Sequence, residues 1–182
     1  MYEADWAQID YDDIDWENAS QKELSETAEK LTQQYNVEAI ALFKNLATNN
    51  AAEELFQFCQ ENNLVVDILI NNAGVFFFNE FVKTDIKRID LMLSLHIVTV
   101  TKLCRLFGEE MKKQQSGYIL NMSSMSAWMT MPGIQTYNAT KAYILNFSRS
   151  LYYEMKPYNV GVTAICPGAI DTGLYGLSDN LR

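Results

Sequence analysis

A tyrosine and a lysine lie four residues apart at Tyr137 and Lys141, and a serine, Ser124, lies thirteen residues before the tyrosine. On a helix, side chains four residues apart share one face, so this phenol and this ammonium would be neighbours. A nearby positive charge favours the phenolate and lowers a phenol pKa that is about 10 in isolation. Such a tyrosine can exchange protons near neutral pH, and a serine hydroxyl can hydrogen-bond the substrate oxygen concerned. The three residues predict a proton-transfer site.

The sequence around Tyr137 distinguishes it from a second pair with the same spacing, Tyr152 and Lys156. We interpret that second pair as the solvated back of the same helix. Before Tyr137, the apolar run at residues 117–122 predicts a strand that ends at Ser124 and the serine before it. The carboxyl end of a strand is where open α/β sheets bind ligands.

Helical and strand patterns alternate along the chain from Ser20 onward. The predicted elements are a helix from Ser20 to Tyr35, a strand from Val37 to Phe43, a helix capped by Asn49 through Cys59, a strand from Val65 to Ile70, a helix capped by Asp85 through Phe107 and ended by Gln114 to Gly117, a strand around Ile119, a helix from Tyr137 to about Met155, and a strand from Val160 to Cys166. The near-continuous apolar strand at 65–70 is typical of strands buried on both faces. The alternation predicts an α/β fold with about four parallel strands and four to five helices on both faces of the sheet.

Several polar or turn-forming segments follow these predicted strands and would converge on one edge of the sheet. They are Asn45, Asn71 to Gly74, Ser123 to Ser124 and Pro167 to Thr172. We predict the functional site at this edge.

The formal net charge is -9, which argues against nucleic acid and anionic membranes as partners. Residues 1–17 contain seven acidic side chains and no basic one. We expect residues 1–19 to be a flexible acidic segment, with an edge strand from Ile9 to Trp16 as the alternative. The three cysteines lack paired spacing and the chain has one histidine, so we expect buried thiols in a reducing compartment and no metal site. No apolar run approaches the roughly 18 residues of a membrane span, and we expect a cytoplasmic protein.

With Asn71-Asn72-Ala73-Gly74, Ser124, Tyr137, Lys141 and Pro167-Gly168-x-Ile170-x-Thr172 in this order, the chain resembles the short-chain dehydrogenase/reductase family over roughly residues 20–180. The resemblance implies a Rossmann-like fold and an oxidoreductase that interconverts a carbonyl and an alcohol with NAD or NADP. By analogy with reductases of this type, we favour NADP. A flavodoxin-like module fits the alternation of elements equally well, but it does not explain the serine, tyrosine and lysine together.

The resemblance also implies the catalytic roles. Tyr137 would protonate the carbonyl oxygen as hydride arrives at carbon, Lys141 would lower the tyrosine pKa and bind the nicotinamide ribose, and Ser124 would polarise the carbonyl. His96 stands where the family often has an asparagine near the lysine. It is either a core residue or a substitute for that asparagine in a proton relay.

Cofactor contacts are implied at the other strand ends. Gly74 would let the backbone approach the cofactor, and Asn71, Asn72 and Ala73 would complete that strand end, where the asparagines also suit a simple turn. Pro167 and Gly168 would shape the turn beneath the nicotinamide. Ile170, through its backbone, and Thr172, through its hydroxyl, would face the carboxamide. Asn45 stands where the family usually has an aspartate that binds adenine, and its amide oxygen can still accept that hydrogen bond.

The main departure from the family is at the start of the chain. The family opens with a strand, a Gly-rich turn and a helix that binds the pyrophosphate, and this unit is absent before Ser20, as is the family's carboxyl-terminal part after Arg182. In the family, the first two strands lie between those at Val37 and Val66. We therefore predict a truncated Rossmann-like domain over residues 20–182.

Two functions are consistent with these features. The first is a short-chain oxidoreductase acting on a small-molecule carbonyl or alcohol as a homodimer or homotetramer. An apolar pocket would then be lined by Phe76, Phe77, Phe78, Met125, Trp128 and Met129, which otherwise suit a core or a subunit contact. The second is a non-catalytic remnant that dimerises through its long helices and does not bind the cofactor.

Overall fold

The computed structural model describes residues 16–168, which fall into two compact units, one ending at Lys44 and one beginning at Asn45. The elements are α1 (Trp16–Tyr35), α2 (Ala51–Glu61), β1 (Ile68–Asn71), α3 (Ile86–Leu93), a π-helical turn (Ser94–Thr99), α4 (Val100–Gln114), β2 (Gly117–Met122), α5 (Gln135–Met155) and β3 (Val160–Ile165), with short 3-10 turns at Phe81–Lys83, Met125–Trp128 and Lys156–Tyr158. Residues 1–15 of the predicted acidic segment lie outside the described residues.

The first unit contains α1, which begins at Trp16 and not at the predicted Ser20, so residues 16–19 are helical and the prediction of a flexible segment is wrong for them. It also contains an extended segment where a strand was predicted. The segment from Val37 to Phe43 pairs with no strand of the sheet that the structure describes, so the prediction of a strand is wrong. Its Ala39 amide donates instead to Thr32 Oγ1 of α1 at 3.3 Å, and its apolar side chains are largely exposed. Apolar and β-branched residues favour a strand only where a neighbouring strand completes the hydrogen bonds.

The second unit contains a parallel sheet in the order β1-β2-β3, which confirms the predicted Rossmann-like α/β class. Asn71 pairs with Asn121 at the end of β1, and Met122 pairs with Ile165 at the end of β2. All three carboxyl ends therefore meet at one edge, as the sequence predicted. The sheet has three strands instead of about four because the segment at 37–43 is not part of it.

One face of the sheet is covered by helices α2, α4 and α5. The apolar core on this face consists of Ala52, Leu69, Val100, Leu103, Cys104, Phe107, Met111, Ile119, Ile144, Met155, Val160 and Val162. Phe56 of α2 joins it by an edge-on contact with Phe107, at 5.2 Å between ring centres. Leu69 and Asn71 of β1 are buried on this side, whereas Ile68 and Ile70 are 60% and 59% exposed on the other. The prediction that this strand is buried on both faces is therefore wrong, since Ile68 and Ile70 lie opposite the face that packs against this core.

The long predicted helix is present as one continuous run from Ile86 to Gln114. Asp85 caps it as predicted, accepting a hydrogen bond from the Lys87 amide at 2.9 Å. The sequence did not predict the π-helical turn in its middle, where one residue is inserted into the helical repeat. By length and composition alone this run could cross a membrane, which is weak evidence because core helices of soluble proteins pass the same test.

Candidate active site

The carboxyl end of β2 is held to helix α5 by two hydrogen bonds that run in opposite directions. Ser123 Oγ donates to the Lys141 carbonyl oxygen at 2.7 Å, and Lys141 Nζ donates to the Met122 carbonyl oxygen at 2.9 Å. Both side chains are buried. The Lys141 side chain is therefore fixed at the end of β2 by Met122, which lies two residues before Ser124.

Tyr137 and Lys141 share a face of α5, as their spacing predicted. Lys141 Nζ lies 5.5 Å from the centre of the Tyr137 ring, and Phe76 packs edge-on against the same ring at 5.1 Å. Tyr137 is 4% exposed. Burial lowers the pKa of Lys141 to about 8, so the ammonium remains mostly charged at pH 7 while its positive charge is poorly solvated. A poorly solvated cation beside a phenol favours the phenolate.

Ser124 is buried and starts the short 3-10 turn that follows β2. Its Oγ accepts a hydrogen bond from the Ser126 amide at 3.2 Å. Because a hydroxyl can accept and donate at once, this bond leaves its proton to be donated elsewhere. The structure thus brings the serine, the tyrosine and the lysine to the same end of β2.

The segment Asn71 to Gly74 leaves the neighbouring strand at the same edge. Asn71 Nδ2 donates to Asn121 Oδ1 at 2.7 Å, and Asn121 Nδ2 donates to Ser148 Oγ at 2.9 Å, so the Asn71 side chain joins β1 to β2 and α5 inside the core. Asn72 and Ala73 are exposed. This segment therefore presents its backbone at the edge, while Asn71 has a positioning contact.

His96 lies in the π-helical turn and is buried. Its ring lies between the backbone that follows Gly74 and helix α5. Its Nε2 accepts a hydrogen bond from the Val75 amide at 2.9 Å, and its Nδ1 is 2.9 Å from Thr140 Oγ1. Thr140 Oγ1 donates in turn to the Tyr137 carbonyl oxygen at 2.8 Å. Burial, with a smaller effect of the Lys141 charge, lowers the pKa of His96 to about 3. The imidazole is neutral around pH 7.

The turn after β3 lies next to the turn after β2. The Met125 amide donates to the Pro167 carbonyl oxygen at 3.0 Å, and the Ser123 amide donates to the Ile165 carbonyl oxygen at 2.8 Å. Pro167 and Gly168 are half-buried there. The two other predicted contacts of this turn, Ile170 and Thr172, lie outside the described residues.

Asn45 forms a local turn before α2. Its Oδ1 accepts from the Ala47 amide at 3.0 Å, and the next carbonyl oxygen, of Leu46, accepts from Thr99 Oγ1 at 2.6 Å. The turn therefore lies against the end of the π-helical turn. Since Asn45 is exposed, its remaining amide donor faces solvent.

The predicted apolar pocket residues divide into two groups. Phe76 and Phe77 pack against a small buried cluster of Met92, Ile134 and Tyr137. The others are about half exposed or more: Phe78, Met125, Trp128 and Met129. A small cleft opens beside Tyr137, between Phe77, Met92 and Ile134. An apolar surface therefore borders the tyrosine.

Two site residues received no role of their own in the sequence analysis, which placed Ser123 only at the strand end and did not name Thr140. Ser123 and Thr140 each make a buried hydrogen bond that positions the turn of α5 carrying Tyr137 and Lys141. Their signal was only adjacency, since Ser123 precedes Ser124 and Thr140 precedes Lys141. Hydroxyl residues are common in turns and helices, so adjacency alone did not distinguish them. Within residues 16–168, no group of three or more His, Cys, Asp or Glu side chains could hold a metal ion.

Comparison with known proteins identifies the family. A family model described as short chain dehydrogenase matches residues 17–179. The chain belongs to the short-chain dehydrogenase family. Its similarity to the 3-oxoacyl-[acyl-carrier-protein] reductase of Aquifex aeolicus is 30% identity over 158 residues, which cover 85% of this chain and 63% of that protein. A probable oxidoreductase of Mycobacterium tuberculosis is 36% identical over 111 residues, covering 60% of this chain and 19% of that protein.

The same family is found among solved structures. The short-chain dehydrogenase of Sphingobium yanoikuyae, in complex with NADPH, matches with a TM-score of 0.81 and 27% identity, covering 86% of this chain and 60% of that one. The chain thus spans less than two thirds of the length of these relatives. The range matched by the family model, residues 17–179, contains all the described site residues.

Proposed function

We propose that this chain is an NAD(P)-dependent oxidoreductase that interconverts a carbonyl and an alcohol by hydride transfer, with Tyr137 as general acid and base. The observation that supports this most directly is the cluster at the end of β2. There Lys141 is held by the Met122 carbonyl oxygen and lies 5.5 Å from the Tyr137 ring centre, while Ser124 begins the adjoining turn. The family membership supports the same chemistry.

In the reducing direction, a bound reduced nicotinamide supplies hydride to the carbonyl carbon. Tyr137 donates its phenolic proton to the oxygen, and Ser124 donates a hydrogen bond to the same oxygen and stabilises its developing charge. Lys141 stabilises the resulting phenolate, because its ammonium is held within the same buried face. The oxidising direction reverses each step, with the phenolate taking the alcohol proton.

The described residues fit the nicotinamide half of such a cofactor. The exposed residues Asn72 and Ala73, the Lys141 ammonium and the turn at Pro167 and Gly168 lie along the same edge of the sheet. The pyrophosphate half is different. The sequence has no glycine before Gly74, so residues 1–73 provide no Gly-rich turn for phosphate. We favour NADP over NAD and propose that this chain holds mainly the nicotinamide end.

The substrate that suits this site is a carbonyl or alcohol with an apolar group. Phe77, Phe81 and Met92 line the cleft beside Tyr137, and Met125, Trp128 and Met129 are exposed in the turn that follows Ser124. Exposed apolar surface next to a polar reacting centre favours a ligand that buries its own apolar part there. A second copy of the chain could also cover part of this surface in a homodimer or homotetramer.

Replacing Tyr137 with phenylalanine tests the proposal, because it removes the proton donor and keeps the ring. We expect kcat/KM for ketone reduction to fall by about 10²- to 10⁴-fold. The measurement is oxidation of NADPH or NADH, assayed in parallel by absorbance, with a panel of aromatic and aliphatic ketones.

The matched control is Tyr152→Phe, which alters the other tyrosine that has a lysine four residues later. It should leave turnover unchanged. Equal turnover by wild type and Tyr137→Phe would contradict the assigned role. Absence of turnover by the wild type with every ketone and both cofactors would contradict the proposed activity.

The alternative is a non-catalytic remnant that binds a second copy of itself. The observation that favours it is the lack of a Gly-rich turn in residues 1–73. Titration of reduced cofactor, followed by its fluorescence, distinguishes the two functions. Saturation at micromolar cofactor supports the enzyme, whereas no binding at millimolar cofactor, together with a dimer in sedimentation, supports the remnant.

A further inference from the structure

His96 is the one histidine of the chain, and it is engaged on both sides of its ring. Nε2 faces the Val75 amide at 2.9 Å, and Nδ1 faces Thr140 Oγ1 at 2.9 Å. The first contact is to the backbone that follows β1. The second is to the turn of α5 that carries Tyr137. The imidazole thus lies between the two chain segments that border the proposed reacting centre.

The direction of these hydrogen bonds fixes the position of the imidazole proton. A backbone amide can only donate, so Nε2 must accept with its lone pair and the proton must be on Nδ1. The proton on Nδ1 then points at Thr140 Oγ1, whose own proton is donated to the Tyr137 carbonyl oxygen at 2.8 Å. The chain of donors runs without conflict from Val75 through His96 and Thr140 to the Tyr137 backbone.

A second proton on His96 would disrupt this arrangement. It would have to bind at Nε2, where the Val75 amide hydrogen already points. The charged group that acts on His96 from α5 is Lys141, whose positive charge would repel a protonated imidazole. The Tyr137 ring lies edge-on to the imidazole, with 5.9 Å between the ring centres. The side chain is 2% exposed, so water cannot compensate. The ring therefore has no site from which to pass a proton while both bonds persist.

The backbone at Gly74 packs closely against the imidazole ring of His96. A Cβ added to Gly74 would lie 3.1 Å from His96 Nε2, so the backbone after β1 approaches the ring closely. His96 is carried by the π-helical turn, and Thr99 at the end of that turn donates to the Leu46 carbonyl oxygen. The inserted residue thus places His96 toward the site and Thr99 toward the turn before α2.

We propose that His96 is a positioning residue which, as a neutral Nδ1-protonated imidazole, holds the backbone after β1 at a fixed distance from the turn of α5 that bears Tyr137. It acts through Val75, Gly74 and Thr140 and does not relay protons. Its effect on catalysis rests on the proposed function, whereas its tautomer and contacts do not. This distinguishes it from both interpretations that the sequence left open.

The first test uses nitrogen NMR of the chain labelled with 15N-histidine, which contains a single imidazole. Long-range proton–nitrogen correlations should show a protonated Nδ1 and an unprotonated Nε2, with shifts that stay constant from pH 8 to pH 5. An Nε2-protonated ring, or a titration with its midpoint in that range, would overturn the proposal. This readout is independent of cofactor and substrate.

The second test alters each partner. His96→Phe keeps the ring and removes both nitrogens, His96→Asn keeps one donor and one acceptor on a shorter side chain, and Thr140→Val removes the acceptor hydroxyl. Thr101→Val is the matched control, because it breaks a 2.9 Å threonine–tyrosine hydrogen bond to Tyr143 on the exposed surface. In Thr140→Val the Nδ1 proton loses its acceptor, so the Nδ1 nitrogen and proton resonances should shift while the Val75 amide keeps Nε2 unprotonated; in Thr101→Val all imidazole resonances should match those of the wild type. An unchanged imidazole spectrum in Thr140→Val would overturn the proposal.

Kinetics then separate positioning from proton relay. We expect kcat of His96→Phe to fall by roughly ten- to a hundredfold through misplacement of the reacting groups, with partial recovery in His96→Asn. The midpoints of the pH profile should match those of the wild type in both variants. A profile that loses one of its limbs in both variants would show that His96 does carry a proton. If no variant and no wild-type chain turns over substrate, the proposed function fails while the NMR result still decides the tautomer.

Discussion

At the scale of residues, the environment of each side chain decides its chemistry more than its type does. Lys141 and Lys156 have the same spacing from a tyrosine on one helix, yet Lys141 is 6% exposed and bonded to the Met122 carbonyl oxygen, whereas Lys156 is exposed. The sequence correctly predicted which pair faces the strand end, because an apolar strand followed by two serines precedes only the first. The interpretation of the second pair as solvated is right for Lys156 and wrong for Tyr152, which packs partly buried against the core. It could not predict the tautomer of His96, since that depends on a backbone amide 21 residues away.

Burial of the Lys141 ammonium predicts a specific dependence of stability on pH. The pKa of this lysine is about 8 in the folded chain against 10.5 for an ordinary lysine. Between these values the unfolded chain binds more protons, so the free energy of unfolding should rise with pH, by at most about 3 kcal/mol. Below pH 8 both states are charged and the penalty is constant.

Urea unfolding at pH 7 and pH 10 measures this effect. Relative to wild type, Lys141→Met should lose the stabilisation that accompanies the higher pH. Lys156→Met should keep it, because that lysine is exposed. If the wild type and Lys141→Met change stability equally between the two pH values, the ammonium is not buried as described.

At the scale of elements, the predictions held where periodicity was long and failed where a neighbour was missing. Helix α5 and strands β2 and β3 were expected close to their observed bounds, because their apolar patterns are extended and their ends have clear turn residues. The strand expected at 37–43 is absent from the sheet, and β1 is exposed on one side, since both depend on neighbours that a local pattern cannot specify. The π-helical turn has no sequence signal that we recognised.

Two glycines, one within α4 and one at the start of β2, should respond in opposite ways to replacement by alanine. Gly117 has φ +152, and an added Cβ would lie 2.5 Å from Met111 Cγ, so Gly117→Ala should lower the free energy of unfolding by about 3 kcal/mol. Gly108 lies within α4, where an added Cβ meets Met155 Cε at an ordinary 3.5 Å. Gly108→Ala should therefore raise stability by up to about 1 kcal/mol through helix propensity.

Chemical denaturation of the two variants under identical conditions provides the comparison. Each serves as the control for the other, because both add one methyl group near the same core. Equal stability of Gly117→Ala and wild type would mean that the tight turn into β2 is not formed as described.

At the scale of the whole molecule, the second unit contains the described edge of the sheet where we propose the chemistry, and the sequence has no glycine before Gly74. The expected homodimer or homotetramer and the cytoplasmic location stay predictions. The family membership is established over nearly the whole chain, while the chain spans less than two thirds of the relatives compared.

A nicotinamide site without a Gly-rich turn predicts that the adenine half of the cofactor adds little to its affinity. Reduced nicotinamide mononucleotide should bind the 182-residue chain within about tenfold of NADPH, because residues 1–73 contain no glycine for a pyrophosphate-binding turn; a factor of ten corresponds to about 1.4 kcal/mol. Calorimetric titration of the two ligands measures the ratio. Affinity for NADPH a thousandfold higher would show that another part of the chain binds the pyrophosphate.

The sequence by itself determined the family, the parallel α/β class and the order of the serine, tyrosine and lysine along the chain, because these depend on local spacing and periodicity. Only the tertiary structure decided which side chains are desolvated, which backbone groups they bond and which strand lacks a neighbour. These properties arise from contacts between residues distant in sequence, such as His96 with Val75 and Thr140. Desolvation and long-range hydrogen bonding set the protonation state of a side chain, so the roles of His96 and Lys141 became definable only once the chain was folded.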